Sequence, residues 1–199
     1  IGGMSAILED TKNLVNQEMP LYILCAAGAS LLILFLSMME TMVPLLFMLG
    51  MIFPIAYNFG TNYFLGQISY ITEALATVLQ LGVTMDFSIF LLHRFEEEKE
   101  RGFEDEEAMV QAIRKTFSSI LGSSLTTIAG FLAMCTMTLT LGADIGLVMA
   151  KGVFLGVACT ITVLPALLMT FRKSIARHTH RTFIPKLSKT SRFVVKRRV

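Results

Sequence analysis

Charged residues are scarce in this sequence of 199 residues. Only 16% are Asp, Glu, Lys or Arg, whereas soluble domains usually contain about 25%. Hydrophobic residues make up 54% of the chain, and its mean hydropathy is +0.65. This balance excludes an ordinary soluble globular domain and indicates a membrane protein.

Cysteine and histidine are also rare, with three of each, and tryptophan is absent. The cysteines fall inside apolar runs, where they are interpreted as small buried side chains rather than as a disulfide framework. No histidine has neighbours at metal-ligand spacing, so no metal site is predicted. The residues concerned are Cys25, Cys135, Cys159, His93, His178 and His180.

Several catalytic motifs are missing. The chain has no Gly-rich phosphate loop with a Walker lysine, and no Ser, His and Asp in the order of a catalytic triad. We therefore predict neither an enzyme nor an ATP-driven pump, and we expect no cofactor beyond a proton gradient. The chain begins at Ile1, and no basic segment precedes the first apolar run, which suggests a piece of a longer protein.

Five apolar runs approach the roughly 20 helical residues that cross about 30 Å of hydrocarbon. A polar lead-in, 1–20, is expected to lie outside the cytoplasm, and a basic tail, 172–199, follows the last run. Polar and Gly residues predict a loop after the second run: Asn58, Gly60, Thr61, Asn62 and Gly66. The predicted fold is an all-α polytopic membrane bundle with spans at about 21–39, 45–59, 71–95, 116–141 and 145–171.

Basic residues are concentrated on one side of this predicted bundle. The loop 93–115 holds five Lys or Arg and the tail holds ten, out of 17 in the chain. The positive-inside rule makes this side cytoplasmic, with the N-terminus outside a cell-membrane protein and the C-terminus inside. We expect the tail to contact anionic lipid heads, at about 1 kcal/mol per basic residue. Nucleic-acid binding is not predicted, because the juxtamembrane position explains the charge.

The cytoplasmic loop, 96–115, is expected to contain an amphipathic helix that lies along the inner membrane face. Its second part begins with four acidic residues, 104–107, and continues with an apolar stripe at Met109, Ala112, Ile113 and Phe117. An acidic metal or partner site is the alternative. A solvated charged face fits better, since no His or Cys accompanies the acids.

Asp86 is the most informative residue, because it lies deep in the third apolar run. A carboxylate at the centre of a membrane helix costs roughly 2.5–3.5 kcal/mol, so it normally faces a protein interior or a wet cavity. Gly82, one turn away, would let water or another helix approach it. We interpret Asp86 as a group that exchanges a proton, and a structural carboxylate held in a hydrogen bond is the alternative.

Lys151 is the second charge inside an apolar run. Its depth differs from that of Asp86 by about 10 Å at 1.5 Å per helical residue, which makes a direct ion pair between them doubtful. Glu73 and Asp144, both near the outer rim, are easier partners. A place in the proton relay and a structural anchor both remain open for Lys151.

Small and hydroxyl residues recur at helical spacing in the last two runs. Gly122 and Gly130 in the fourth, and Gly152 and Gly156 in the fifth, predict close helix packing, as does Gly82 in the third. Packing also explains the hydroxyl residues. The alternative is that Thr126 and Thr127 relay protons or water beside Asp86.

Four segments carry a resemblance to a known family. The segment GVTMDFSIFLLHRFEEE (82–98) is similar to the fourth transmembrane helix of the resistance-nodulation-division (RND) superfamily, in its MmpL-like branch. The segments LTTIAGFLA (125–133) and ITVLPALL (161–168) resemble the fifth helix and the end of the sixth. The segment IGLVMAKGV (145–153) resembles Gram-positive members. The resemblance covers nearly the whole chain.

The resemblance implies that the five spans correspond to helices two to six of a twelve-helix, proton-driven exporter of lipids or hydrophobic compounds. Asp86 then matches the proton-relay aspartate, although Phe87 stands where many members have Tyr. A second transmembrane repeat and extracytoplasmic domains would be partners in the same protein. A regulatory bundle like a sterol-sensing domain shares this architecture and is the alternative function, while an intramembrane hydrolase is a distant third.

Overall fold

A computed structural model describes residues 3–38, 42–66 and 68–175 of the chain. These residues form helices, connected by short turns, and include no β-strand. Five of the helices are long and apolar enough to cross a membrane, which confirms the predicted all-α bundle. The elements are α1 (Met4–Ser37), α2 (Met42–Asn62), a 3₁₀ turn (Tyr63–Leu65), α3 (Tyr70–Glu100), α4 (Asp105–Met134), α5 (Thr140–Thr170) and α6 (Arg172–Ile175).

The start of α3 is fixed by residues that suit a helix N-terminus. Gly66 adopts a φ of 84°, and the Oγ of Ser69 accepts a hydrogen bond from the backbone N–H of Ile71 at 3.3 Å. Glu73 lies in the first turn, where a negative charge is favourable. No proline interrupts the helix, so it runs unbroken for 31 residues and carries Asp86 near its middle.

Most of the segment predicted as the loop 96–115 is helical. Helix α3 continues to Glu100 and α4 begins at Asp105, so that the connection is a tight turn with Gly102 at a φ of 95°. The predicted amphipathic helix is the first part of α4 itself. Its residues Met109 and Ala112 are buried in the bundle core rather than lying along a membrane face.

Other helix ends also differ from the prediction: α4 ends at Met134 rather than at about 141, and α5 begins at Thr140 rather than at about 145. Helix α2 continues to Asn62 and includes Pro54 and Gly60. Both residues are acceptable in a membrane helix, because neighbouring helices can supply partners for the backbone groups that they leave unpaired. Most of the lead-in 1–20 belongs to α1, which contains Pro20. The basic tail beyond 175, with His178 and His180, lies outside the described residues.

The main hydrophobic core lies where α2, α3 and α5 meet, with the ends of α1 and α4 added. It contains fully buried side chains such as Phe47, Leu91 and Leu168. A second cluster, Phe87, Ile120, Val153 and Val157, joins α3, α4 and α5. Helix α3 therefore has a buried face toward α2 and α5, and a flank that packs on α4 and leaves Asp86 exposed.

Candidate functional site

Asp86 lies on the exposed flank of α3, at the edge of an open groove between α3 and α4. The groove has a volume of about 380 Å³. Among the described residues, Asp86 has neither a side-chain hydrogen bond nor an ion pair. Its carboxylate is therefore available to a partner or to water in the groove.

The groove has one polar side and one apolar side. Three hydroxyl residues of α4 face Asp86 across it: Ser119, Ser123 and Thr127. The apolar lining consists of Val83, Phe87, Phe90 and Ile120. The structure thus brings Asp86 together with Thr127 at one site.

Thr126 does not line this groove, although it neighbours Thr127 in the sequence. Its Oγ1 donates to the backbone carbonyls of Gly122 at 3.1 Å and Ser123 at 2.7 Å, on an exposed part of α4. Thr127 donates to the carbonyl of Ser123 at 3.0 Å. The two threonines therefore face different surroundings, and a part in a relay stays a prediction for both.

A buried network of side-chain amides joins α2, α3 and α5. The Nε2 of Gln80 donates to the carbonyl of Pro54 at 2.9 Å and to that of Gly152 at 3.3 Å. Asn58 donates from Nδ2 to the Oε1 of Gln80 at 2.7 Å and to the carbonyl of Val148 at 3.4 Å. Gln80 has no exposed surface and Asn58 is 1% exposed. The network cross-links three helices in a region where water is scarce.

Lys151 extends this network and lies away from the Asp86 groove. Its Nζ donates to the carbonyl of Asn58 at 3.1 Å and to the Oδ1 of Asn62. Asp86 is not its partner, in keeping with the difference in depth, and neither Glu73 nor Asp144, the easier acidic partners, is paired with it. The reason is local: α2 continues to Asn62, and its last turn presents polar groups to α5 where a loop was predicted.

The glycines predicted to pack fall into two groups. A Cβ on Gly152 would lie 2.7 Å from the Nδ2 of Asn58, and one on Gly156 would lie 2.7 Å from the Oγ1 of Thr84. These two glycines thus permit the approach of α5 to α2 and α3. The other three have no atom within 4 Å of an added Cβ in the described part of the chain: Gly82, Gly122 and Gly130.

A second charged site lies where α3 ends and α4 begins. Glu98 has no exposed surface, and both its carboxylate oxygens contact Lys115 Nζ, at 2.8 and 2.9 Å. Arg101 lies 3.1 Å from Oε1 and the Nε of Arg94 lies 3.4 Å from it. Both arginines also pair with the half-exposed Glu97. We call Arg94, Glu98, Arg101 and Lys115 the Glu98 cluster.

Sequence reasoning missed the roles of Gln80, Asn58 and Glu98. Gln80 carries a usable signal, because a long amide in the same apolar run as Asp86 must find hydrogen-bond partners. Glu98 carries little signal, since it lies in a run of acidic residues typical of an exposed surface. Only the close return of α4 buries it.

Comparisons with known proteins agree with this architecture. The MMPL family matches residues 1–197. The membrane protein MJ1562 of Methanocaldococcus jannaschii is 33% identical over 97 residues, which are 49% of this chain and 25% of that protein. MmpL9 of Mycobacterium tuberculosis, described as a probable transport protein, is 29% identical over 146 residues, 70% of this chain and 15% of that protein. Membrane protein YdfJ of Bacillus subtilis is 23% identical over 199 residues, 98% of this chain and 26% of that protein.

The chain spans about a quarter or less of the length of these relatives. The family match nevertheless covers almost every residue, and five of the described helices are long and apolar enough to cross a bilayer. The chain therefore belongs to the MMPL family and is a multi-pass membrane protein.

Proposed function

We propose that this chain is part of a proton-driven membrane transporter in which Asp86 takes up and releases the coupling proton. One observation supports the proposal above the others. Asp86 lies near the middle of an apolar 31-residue helix, about 24 Å from its start, yet its carboxylate has no partner among the described residues. Ionisable groups at such positions usually belong to ion or proton pathways.

The surroundings of Asp86 suit proton transfer. Hydroxyl groups can both donate and accept hydrogen bonds, so Ser119, Ser123 and Thr127 can hold water beside the carboxylate. Lys151 belongs to α5, and its Nζ donates hydrogen bonds to Asn58 and Asn62 of α2, away from this groove. We therefore assign Lys151 first to anchoring α5, and its place in the relay stays a prediction.

The transported substrate is proposed to be a lipid or another hydrophobic compound. This follows from the resemblance to MmpL-like exporters, and the description of MmpL9 as a probable transport protein favours transport over catalysis. The second half of the relay would lie in a second transmembrane repeat. Substrate recognition would then belong to extracytoplasmic domains outside this chain.

The cell membrane is the proposed location, with the N-terminus outside and the C-terminus in the cytoplasm. The turn between α3 and α4 would then be cytoplasmic, as would the tail that follows α5. Lys and Arg are concentrated in residues 93–115, which include this turn and the helix ends beside it, and in the tail, which supports this orientation by the positive-inside rule.

Substitution of Asp86 in the full-length protein tests the proposal. In vesicles with an imposed pH gradient, we expect Asp86→Asn to abolish proton-coupled export and Asp86→Glu to retain part of it. Glu73→Gln is the matched control, since it removes a carboxylate from the same helix outside the groove. Unchanged coupled export in Asp86→Asn would contradict the proposal. It would instead favour a lipid-sensing module like a sterol-sensing domain.

A further inference from the structure

Two buried threonines lie unpaired in the interface of α2, α3 and α5. Thr84 of α3 is 3% exposed and Thr160 of α5 is 1% exposed. Within the described part of the chain, the Oγ1 of neither residue has a hydrogen-bond partner. Thr84 lies about 21 Å along α3 from its start at Tyr70, near the middle of the span and far from bulk water. Two buried hydroxyl groups without partners are unfavourable in such surroundings.

Two neighbouring hydroxyl residues of α3 show the usual solution. A serine or threonine inside a helix commonly donates to the carbonyl of the residue four positions earlier. Ser88 donates in this way to Thr84 at 2.8 Å, and Thr77 donates to Glu73 at 2.9 Å. Thr84 and Thr160 make no such bond in the described helices. A partner for their hydroxyl groups therefore has to come from outside their own helices.

Both threonines line one narrow void between the three helices. Its other lining residues are Phe47, Gly50, Ser88, Cys159 and Leu164. The void is too narrow for a water molecule, which needs about 10–15 Å³ of space open to its centre. Water therefore cannot reach the two hydroxyl groups while the helices pack as they do in this conformation.

Close packing of α5 on α3 keeps the void narrow. Gly156 of α5 has no side chain, and a Cβ added to it would lie 2.7 Å from the Oγ1 of Thr84. The backbone of α5 thus lies against this hydroxyl group. Glycine contacts of this kind are favourable in a membrane bundle, because they allow helices to pack closely. A small displacement of α5 away from α3 would exchange this contact for space in which water can bind.

We propose that Thr84 and Thr160 form a water-binding site between α3 and α5, which is closed in this conformation and becomes hydrated when α5 moves away from α3. The unpaired hydroxyl groups raise the free energy of the closed conformation, and water supplies their partners in the open one. The two conformations are thereby closer in free energy, so the bundle can exchange between them. This inference does not depend on the proposed function of Asp86, which faces α4 from another flank of α3.

The native Cys159 can report on this site, because it lines the void and is only 7% exposed. In the full-length protein in lipid vesicles, every other cysteine, including Cys25 and Cys135, is replaced by Ala. N-ethylmaleimide, a small neutral reagent that enters the bilayer, then labels Cys159. The thiolate is the reacting form, and it forms in an apolar interior only when water enters. The labelling rate therefore measures how often the void opens.

Thr84→Val keeps the shape of the side chain and removes its hydroxyl group. We expect this variant to have a higher thermal midpoint in detergent and to slow the labelling of Cys159 about tenfold, a fold-change typical of one unpaired buried group. Thr160→Val is expected to act in the same direction. The matched control is Thr116→Val in α4, because Thr116 is 1% exposed and donates to the carbonyl of Ala112 at 2.7 Å. The control is expected to have a lower midpoint and unchanged labelling.

Gly156→Ala is expected to have the opposite effect on the site. Its Cβ would push α5 away from Thr84, so the labelling of Cys159 is expected to become faster while the thermal midpoint falls. Slower labelling in this variant would show that separating α5 from α3 does not open the void, and would overturn the proposal.

A lower midpoint for Thr84→Val, as in the Thr116→Val control, would show that its hydroxyl group has a partner in the closed conformation. That result would overturn the proposal, as would labelling of Cys159 that is undetectable or that the Val variants do not slow. If one Val variant does not fold, the other decides. Neither measurement needs proton coupling, so the outcome is separate from that of Asp86→Asn.

Discussion

A charged side chain inside a membrane helix needs a polar partner or contact with water, and the two intramembrane charges of this chain meet that need differently. Lys151 is satisfied by α2, through the carbonyl of Asn58 and the amide of Asn62. Asp86 faces an open groove with hydroxyl groups on its far side. The first arrangement suits an anchor and the second suits a group that changes its protonation state.

Lys151→Met is expected to lower the stability of the protein while coupled export persists. The substitution leaves Asn62 Oδ1 without its donor, and hydrogen bonds between membrane helices contribute about 1–2 kcal/mol. The thermal midpoint in detergent and proton uptake in vesicles measure the two effects. A normal midpoint with abolished proton uptake would instead place Lys151 in the relay.

Gly152→Ala is expected to destabilise the bundle by about 1–3 kcal/mol, the range for overpacked sites. Its Cβ would lie 2.7 Å from the Nδ2 of Asn58, which must then move and weaken its bond to Gln80. Gly28→Ala in α1 is the control, because nothing lies within 4 Å of its added Cβ. Equal thermal midpoints for the two variants would show that α5 does not need a glycine at this contact.

Helices α2, α3 and α5 form the part of the bundle that hydrogen bonds hold together. Gln80 reaches carbonyl groups on both neighbouring helices, and Asn58 reaches α5 as well as α3. Helix α4 has few buried residues in its membrane part and joins the bundle through packing and through Lys115. The groove therefore lies between a group of helices joined by buried hydrogen bonds and a helix that joins this group mainly by close packing against α5.

Gln80→Leu is expected to cost about 1–2 kcal/mol of stability, because it leaves the Nδ2 of Asn58 with only its longer bond to Val148. A double-mutant cycle with Asn58→Leu measures the coupling between the two side chains. We expect the double variant to lose less than the sum of the single losses. Strictly additive losses would show that the bond between Gln80 and Asn58 contributes nothing.

Helix ends were the least predictable elements. Asn58, Gly60 and Asn62 are typical of loops in water, but α2 includes all three because α3 and α5 supply polar partners for its asparagines. The acidic run 96–107 is likewise typical of a loop in water. One of its carboxylates, Glu98, is buried because α4 returns to it and brings Lys115, 17 residues further along the chain, into contact. Such long-range contacts leave no local pattern in the sequence.

At the scale of the molecule, hydropathy predicted the five helices of membrane-spanning length, and the residue type of Asp86 pointed to the candidate site. Both predictions follow from the properties of the lipid bilayer, since its thickness sets the length of a spanning helix and its apolar interior strongly disfavours a carboxylate. The faces of the helices were harder to predict. An apolar membrane helix has no polar face to orient it, so the direction in which Asp86 and Lys151 point depends on tertiary packing.

The orientation of the whole bundle gives a further prediction. In a full-length background in which all native cysteines, including Cys25, Cys135 and Cys159, are replaced by Ala, Phe103→Cys is expected to react with an impermeant thiol reagent only in inside-out vesicles. A cysteine in place of the exposed Phe64, in the connection between α2 and α3, is expected to react only in right-side-out vesicles. The opposite pattern would contradict the positive-inside assignment.

The central claim is that Asp86 gains and loses a proton during transport. The most direct measurement is infrared difference spectroscopy of the full-length protein in lipid, titrated over the pH range in which it transports. We expect a protonated-carboxyl band that appears as the pH falls, is absent from Asp86→Asn and is retained in Glu73→Gln. A spectrum in which Asp86→Asn removes no titrating carboxyl band would contradict the account.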